Sequence, residues 1–175
     1  MVDAAALLEQ IPDPELPFLT IADLGILRSV TVEGDAVRVT VTPTYSGCPA
    51  LDTIREDVTK VLQDNGFAEV TVETVLTPAW TTDWLTERGR VALAEHGIAP
   101  PGRSRGAVFL PVPDVDGERS PLRIGVPEPL VTDQLRCPHC GSRDTEEQTR
   151  FGSTACKALW RCRSCREPFE HLKAH

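Results

Sequence analysis

The chain has 175 residues, of which 41% are hydrophobic and 25% charged, which fits a globular protein of one or two domains. Its formal charge of −8 is uneven: residues 1–130 carry 10 basic against 20 acidic side chains, residues 131–175 carry 8 against 6. An acidic body argues against nucleic-acid binding by residues 1–130, and only the mildly basic tail keeps that option open.

No basic-then-apolar leader precedes the first acidic residues, and no apolar run approaches the roughly 18 residues that cross a bilayer. The expected compartment is cytoplasmic, with no membrane partner. Six cysteines in a reducing compartment read as metal ligands or reactive thiols rather than a disulfide framework.

In chain order, a short helix is expected over Ala4–Gln10, ended by Ile11-Pro12-Asp13-Pro14-Glu15-Leu16-Pro17, whose prolines forbid continuation. Ile26–Glu33 and Ala36–Thr42 read as a hairpin around Gly34-Asp35. Val37, Val39 and Val41 alternate with Arg38, Thr40 and Thr42, so one face is buried. A second helix follows, with Cys48 at its cap and Pro49 in its first position. Leu51, Ile54, Val58, Val61 and Leu62 make its apolar stripe, and Asn65-Gly66 stops it. Ala68–Leu76 reads as a third strand and Trp84–Glu95 as a third helix.

The expected fold class is therefore α+β: a small three-stranded sheet with helices on one face, then a four-cysteine zinc-ribbon module. The expected domains are 1–100, a Pro-rich linker or extended segment 101–133 with an edge strand at Val108-Phe109-Leu110, and the ribbon 134–175.

The ribbon rests on Cys137-Pro138-His139-Cys140 and Cys162-Arg163-Ser164-Cys165, two C-x₂-C knuckles separated by 21 residues. Cys137, Cys140, Cys162 and Cys165 offer four soft thiolates to a tetrahedral ion, with zinc as first choice. Rubredoxin-like iron or an iron–sulfur cluster takes the same ligands. A site closed by four protein ligands is structural, and a segment this short needs a metal to fold. Arg136, Arg143, Arg161, Arg163 and Arg166 are expected to offset the anionic cluster. His139 reads as an exposed turn residue, and Trp80 and Trp84 as packing area.

Two cysteines stand outside the knuckles. At a helix start, Cys48 would see backbone N–H groups and the dipole's positive end, which favour thiolate and suit it to hold a soft metal or attack an electrophile. The plainer reading is a cysteine packed as a small hydrophobe. Cys156 lies midway between the knuckles beside Lys157, either as a packed strand residue or as an extra thiol. Asp13, Glu15 and Asp23 either cap turns or converge on Cys48 as ligands and proton acceptors. No Gly-rich phosphate loop, G-x-S-x-G elbow or H-E-x-x-H occurs.

Asp13-Pro14-Glu15, Asp23-Leu24-Gly25 and the loop ending Gly47-Cys48-Pro49 resemble the iron–sulfur assembly domain of SufT-like proteins and of the eukaryotic cytosolic iron–sulfur targeting machinery. Thr42–Ala50, Pro78-Ala79-Trp80-Thr81-Thr82-Asp83-Trp84, Gly97–Pro101, Phe151–Leu159 and the four knuckle cysteines look like the PaaD family, accessory subunits of phenylacetyl-CoA epoxidase. That resemblance implies a non-enzymatic role beside a ring-epoxidising oxygenase in phenylacetate catabolism, assisting iron or iron–sulfur assembly in its oxygenase or reductase subunits.

By the same resemblance, Cys48 is the reactive cysteine and Asp23 the acidic residue of a carrier site for transient iron or an iron–sulfur unit. A second ligand would come from a homodimer mate, a client cysteine or Cys156. The chain has no paired E-x-x-H for a di-iron site and no flavin signature. The competing expectation is a structural or regulatory subunit with only a structural zinc.

Overall fold

The computed structural model describes residues 3–102 and 135–173. The expected strand at Val108-Phe109-Leu110, and nearly all of the expected linker, lie outside the described residues.

Helix α1 (Ala4–Leu8) is short and capped by Asp3, whose carboxylate accepts from Ala5 N and Ala6 N. It buries Ala4 and Leu8, and the chain then turns through the proline loop. Strands β1 (Leu27–Glu33) and β2 (Ala36–Val41) form the expected antiparallel hairpin, with Glu33 opposite Ala36. Helix α2 (Leu51–Asp64) crosses over to β3 (Glu69–Thr74), which pairs parallel to β2 in register Val37–Val70 and Val39–Val72. A parallel neighbour requires such a crossover, and the helix supplies it. The sheet order is β1-β2-β3.

Val37, Val39 and Val41 of the central strand pack with Ile54, Val58 and Leu62 of α2, all nearly inaccessible to solvent. Strand alternation and helical spacing thus meet in one core, as the sequence pattern requires. Helix α2 starts at Leu51 rather than Pro49. No side chain caps it, and the preceding Tyr45–Cys48 turn (Cys48 N to Tyr45 O, 3.2 Å) uses up the residues expected in its first turn.

The third helix, α3 (Glu87–Glu95), also starts later than expected. Thr86 caps it by accepting from Gly89 N, and Trp84 falls in a single 3₁₀ turn before it.

A second sheet has the order β4-β7-β6-β5, from Ile98–Ala99, Pro168–Leu172, Lys157–Cys162 and Thr145–Thr149. Its first strand comes directly after α3, so the segment that ends the N-terminal half hydrogen-bonds to the ribbon, parallel to β7. Cys156 and Leu172 from the ribbon enter the same core as Leu8, Ile54 and Leu93, whereas Ala99, Cys137, Cys162 and Phe169 make a small separate cluster. Among the described residues, no helix is long and apolar enough to cross a membrane.

The Asp23-Leu24-Gly25 loop and the Trp80–Arg88 segment hold each other. Trp80 Nε1 donates to Leu24 O at 2.7 Å, Thr86 N donates to Asp23 O at 2.9 Å, and the Arg28 guanidinium lies 3.4 Å from the Trp84 ring centroid. Gly25 has φ +68°, and a Cβ there would stand 2.6 Å from both Cβ and the carbonyl O of Trp84. Gly34 shares the positive φ but faces open space. In urea titrations Gly34→Ala is therefore expected to cost about 1 kcal/mol, the backbone penalty alone. Gly25→Ala adds a steric clash and is expected to cost about 2 kcal/mol more. Equal losses would contradict the close approach.

Candidate metal and thiol sites

The knuckles place four sulfurs in one group, with all donor atoms of Cys137, Cys140, Cys162 and Cys165 within 4.8 Å of one another. Cys137 Sγ lies 3.7 Å from Cys165 Sγ, and Cys140 Sγ 3.6 Å from Cys162 Sγ. A zinc tetrahedron with bonds of about 2.3 Å has edges of about 3.8 Å, which these two spacings match. Each knuckle ends in a left-handed residue, Gly141 at φ +73° and Arg166 at φ +67°, which turns the chain back beside its second cysteine.

Three of the arginines expected to offset the cluster's charge have other partners. Arg163 pairs with Glu146 at 2.6 Å, and Arg136 and Arg161 donate to backbone carbonyls. A backbone N–H serves instead, with Cys165 N donating to Cys162 Sγ at 3.5 Å. His139 is exposed in its turn, as expected.

The Asp23 carboxylate is buried and fully engaged. Oδ1 accepts from Thr86 Oγ1 and Arg88 Nε, both at 2.9 Å, and Oδ2 accepts from Thr20 N and Thr20 Oγ1, both at 3.1 Å, and pairs with the Arg88 guanidinium. Burial opposes its ionisation, yet these donors together hold it below the ordinary aspartate value. The sequence did not reveal Thr86 and Arg88 as partners, since they lie more than 60 positions away.

Asp13 and Glu15 behave differently. Asp13 is 5% exposed and folds its own loop, its Oδ1 accepting from Glu15 N at 3.0 Å and Leu16 N at 2.9 Å. Burial nevertheless pushes its carboxyl up. Glu15 is half-buried, and Cys156 donates its thiol hydrogen to Glu15 Oε2 at 3.7 Å.

Cys48 is half-buried beside the core. The expectation of a stabilised thiolate is reversed. Burial pushes the Cys48 thiol up, and Glu15, Asp13 and Cys156 push it further, against the backbone N–H of Ala50. Burial dominates, and the helix start helps little because Ala50, not Cys48, holds the N-cap of α2. Cys156 is likewise pushed up, by burial first and by Glu15 and Asp13 in addition. Glu15 and Cys156 are thus brought into contact and both act on Cys48, whereas Asp23 belongs to the Thr20–Thr86–Arg88 network.

Cys156 lies in a turn just before β6, not in a strand. That turn is fastened by a buried ion pair: Lys157 Nζ lies 2.8 Å from Glu170 Oε2, and Glu170 Oε1 accepts from Ser153 N at 2.7 Å. Local sequence carries little signal for this pair, since Glu170 sits among Glu167, His171 and Lys173.

Residues 127–173 match the family model described as the PaaD zinc beta ribbon domain, and residues 2–76 match the iron–sulfur cluster assembly protein model. A protein of Escherichia coli (strain K12), named provisionally as one of the subunits of 1,2-phenylacetyl-CoA epoxidase, is 46% identical over 168 residues, covering 96% of this chain and 89% of its own. The chain belongs to the PaaD family.

PaaD relatedness accounts for both halves at once. Shorter relatives match only part of it. An iron–sulfur protein maturation auxiliary factor of Porphyromonas gingivalis is 37% identical over 93 residues, 52% of this chain and 88% of its own length. A solved domain of unknown function from Bacillus anthracis is 34% identical with a TM-score of 0.49, covering 51% of this chain and 87% of its own. The four cysteines of the ribbon form its metal-binding site.

Two outcomes follow from this geometry. Asp23→Asn is expected to cost about 2 kcal/mol at neutral pH by removing charge-assisted bonds from a buried site. Because the folded carboxyl is held below 3.8, that advantage is present above the unfolded value and lost as pH falls through the folded one. The gap between wild type and variant should therefore close on acidification, and a constant gap in urea midpoints contradicts the assignment. Chelating the ribbon metal should abolish amide-exchange protection in β5–β7 while the α2 and β2 amides keep theirs. Uniform loss, or none, counts against a metal-held ribbon.

Proposed function

We propose that this chain is a non-enzymatic maturation subunit of a phenylacetyl-CoA epoxidase system, holding iron or an iron–sulfur unit briefly at Cys48 and passing it to the oxygenase or reductase component. The observation that carries this reading is Cys48 itself: a half-buried thiol in the iron–sulfur assembly half, bordered by carboxylates, and joined on one chain to a PaaD ribbon.

The raised thiol affinity for its proton fits a carrier. At neutral pH the sulfur is protonated and inert, and it ionises when a cation displaces the proton. The proton leaves to solvent or to a neighbouring carboxylate. Incomplete ligation lets the cargo go, while the ribbon keeps its own ion through four sulfurs and serves to dock the client. Zinc is the ion assigned to the ribbon, and iron is cargo. Asp23 supports this site at a distance by fixing its loop to α3.

A second reading has an observation of its own. Cys48 packs against the core and burial is the largest influence on it, which suits a structural or regulatory subunit carrying only a structural zinc. Iron content of the oxygenase and reductase, each produced with wild type, with Cys48→Ser and without the chain, separates the two. The carrier reading expects a several-fold iron deficit in one component with Cys48→Ser, equal to that without the chain. Full metallation with Cys48→Ser supports the structural subunit instead.

A further inference from the structure

Among the described residues, four large apolar side chains are exposed, and Phe151, at 69%, is the most exposed of them. It stands in the turn between β5 and β6, next to the exposed Arg150, and Lys173 Nζ lies 5.0 Å from the centre of its ring. A phenylalanine left in water forgoes the burial that ordinarily makes it stabilising.

The turn that carries it is nevertheless fixed at every step. Phe151 N donates to Thr149 Oγ1 at 3.2 Å, Gly152 N to Lys157 O at 2.8 Å, and Ser153 N to Glu170 Oε1 at 2.7 Å. Lys173 Nζ donates to Arg150 O at 3.2 Å. The backbone rests directly on the Lys157–Glu170 pair: a Cβ on Gly152 would stand 2.8 Å from Glu170 Oε1 and 3.3 Å from Lys157 Cβ. A desolvated ion pair adds little stability over apolar residues of the same volume. What this one supplies is direction, because it holds the turn, and with it the ring, in one conformation. A rigidly presented aromatic side chain suits a binding anchor, since little ordering entropy remains to be lost when a partner buries it.

The charge around the ring selects the partner. Arg150 and Lys173 are cations beside it. Glu147 approaches Arg150 Nε only at 3.9 Å, an exposed pair of little strength, and Glu170 is taken up by Lys157 and Ser153. The patch is thus apolar with a positive border, on a chain whose formal charge is −8 and whose residues 1–130 carry 10 basic against 20 acidic side chains. A protein surface edged by carboxylates is repelled by that body and attracted at the Phe151 turn, which orients the encounter. An anionic bilayer is the poorer match, since a single ring buries too little to hold a chain of this net charge.

We infer that the Phe151 turn, with Arg150 and Lys173, is the point at which the ribbon docks its client. Phe151 enters an apolar pocket on a protein component of the epoxidase system, and the two cations meet carboxylates on the pocket's rim. This rests on the reading of the chain as an accessory subunit and names the contact which that reading leaves unspecified. The turn opens β6 and Cys162 closes it, so anchor and knuckle cysteine occupy opposite ends of one strand. Cys48 takes no part, and docking and carriage are separable.

The test measures binding of the full chain, ribbon filled with zinc, to the purified oxygenase and reductase components separately, by calorimetry at low and high salt. Wild type, Phe151→Ala, Phe151→Trp, Arg150→Glu, Lys173→Glu, Cys48→Ser and Leu76→Ala are compared, with retained zinc and thermal midpoints measured on the same samples. Leu76, 53% exposed in the N-terminal half, is the control. Wild type is expected to bind one component, and Phe151→Ala should weaken that binding at least about tenfold at unchanged zinc content and midpoint. Phe151→Trp should bind nearly as wild type. Arg150→Glu and Lys173→Glu should weaken binding at low salt, with the deficit shrinking at high salt. Leu76→Ala and Cys48→Ser should bind as wild type does. If Phe151→Ala binds unchanged, or if Leu76→Ala loses as much, the docking turn is overturned and the carrier reading survives. If Cys48→Ser leaves both components fully metallated while Phe151→Ala loses binding, the carrier reading falls and the docking turn stands. Binding to neither component overturns the docking turn, and Phe151-dependent binding to anionic vesicles or to a second copy of the chain would then name the occupant instead.

Discussion

Four sulfurs within bonding reach of one ion are the constraint on which the C-terminal half depends. Its separate cluster, Ala99, Cys137, Cys162 and Phe169, includes two of those cysteines, so the apolar part alone is far too small to hold β5, β6 and β7 in register. The ion substitutes for a core. With it in place, β7 can pair with β4 and present Leu172 and Glu170. Through Glu170 the Lys157 ammonium and the Ser153 amide are held, and with them the turn that carries Cys156. The chain of contacts from the metal-binding knuckles thus reaches a thiol outside them.

The N-terminal half achieves its order by conventional burial. Three valines of β2 meet the apolar stripe of α2, and the Asp23 loop is locked to α3 by Arg88, Thr86 and Trp80. This explains why two short motifs far apart in the chain belong together: each supplies the other's hydrogen-bond partners. One carboxylate loop serves this lock. The other, Asp13 to Glu15, is turned toward the thiols. Burial and like charge then raise the proton affinity of Cys48 and Cys156.

Legibility of the fold tracked the range of the interaction. Period-two valines, the period-3.6 stripe of α2 and the two C-x₂-C turns are local patterns, and each announced its element. Helix starts were less legible. The Tyr45–Cys48 turn postponed α2, and the Thr86 cap postponed α3 past Trp84, because turn and cap bonds compete with helix propensity in ways the sequence pattern does not rank. The ribbon ligands were readable from spacing alone, and membership of the PaaD family from motif resemblance. The meeting of Cys156 with Glu15 was not readable, since it depends on how β4 and β7 join the two halves. Nor was the direction of the Cys48 shift, since it depends first on burial and then on carboxylates from another loop, with Cys48 two positions before the cap.

Iron K-edge X-ray absorption on the anaerobically iron-loaded chain, its ribbon occupied by zinc, addresses the carrier claim at the atom concerned. The account predicts sulfur in the first coordination shell of the iron, and loss of that sulfur signal in Cys48→Ser. An iron shell made of oxygen and nitrogen alone, or a sulfur signal that persists unchanged in Cys48→Ser, would contradict it.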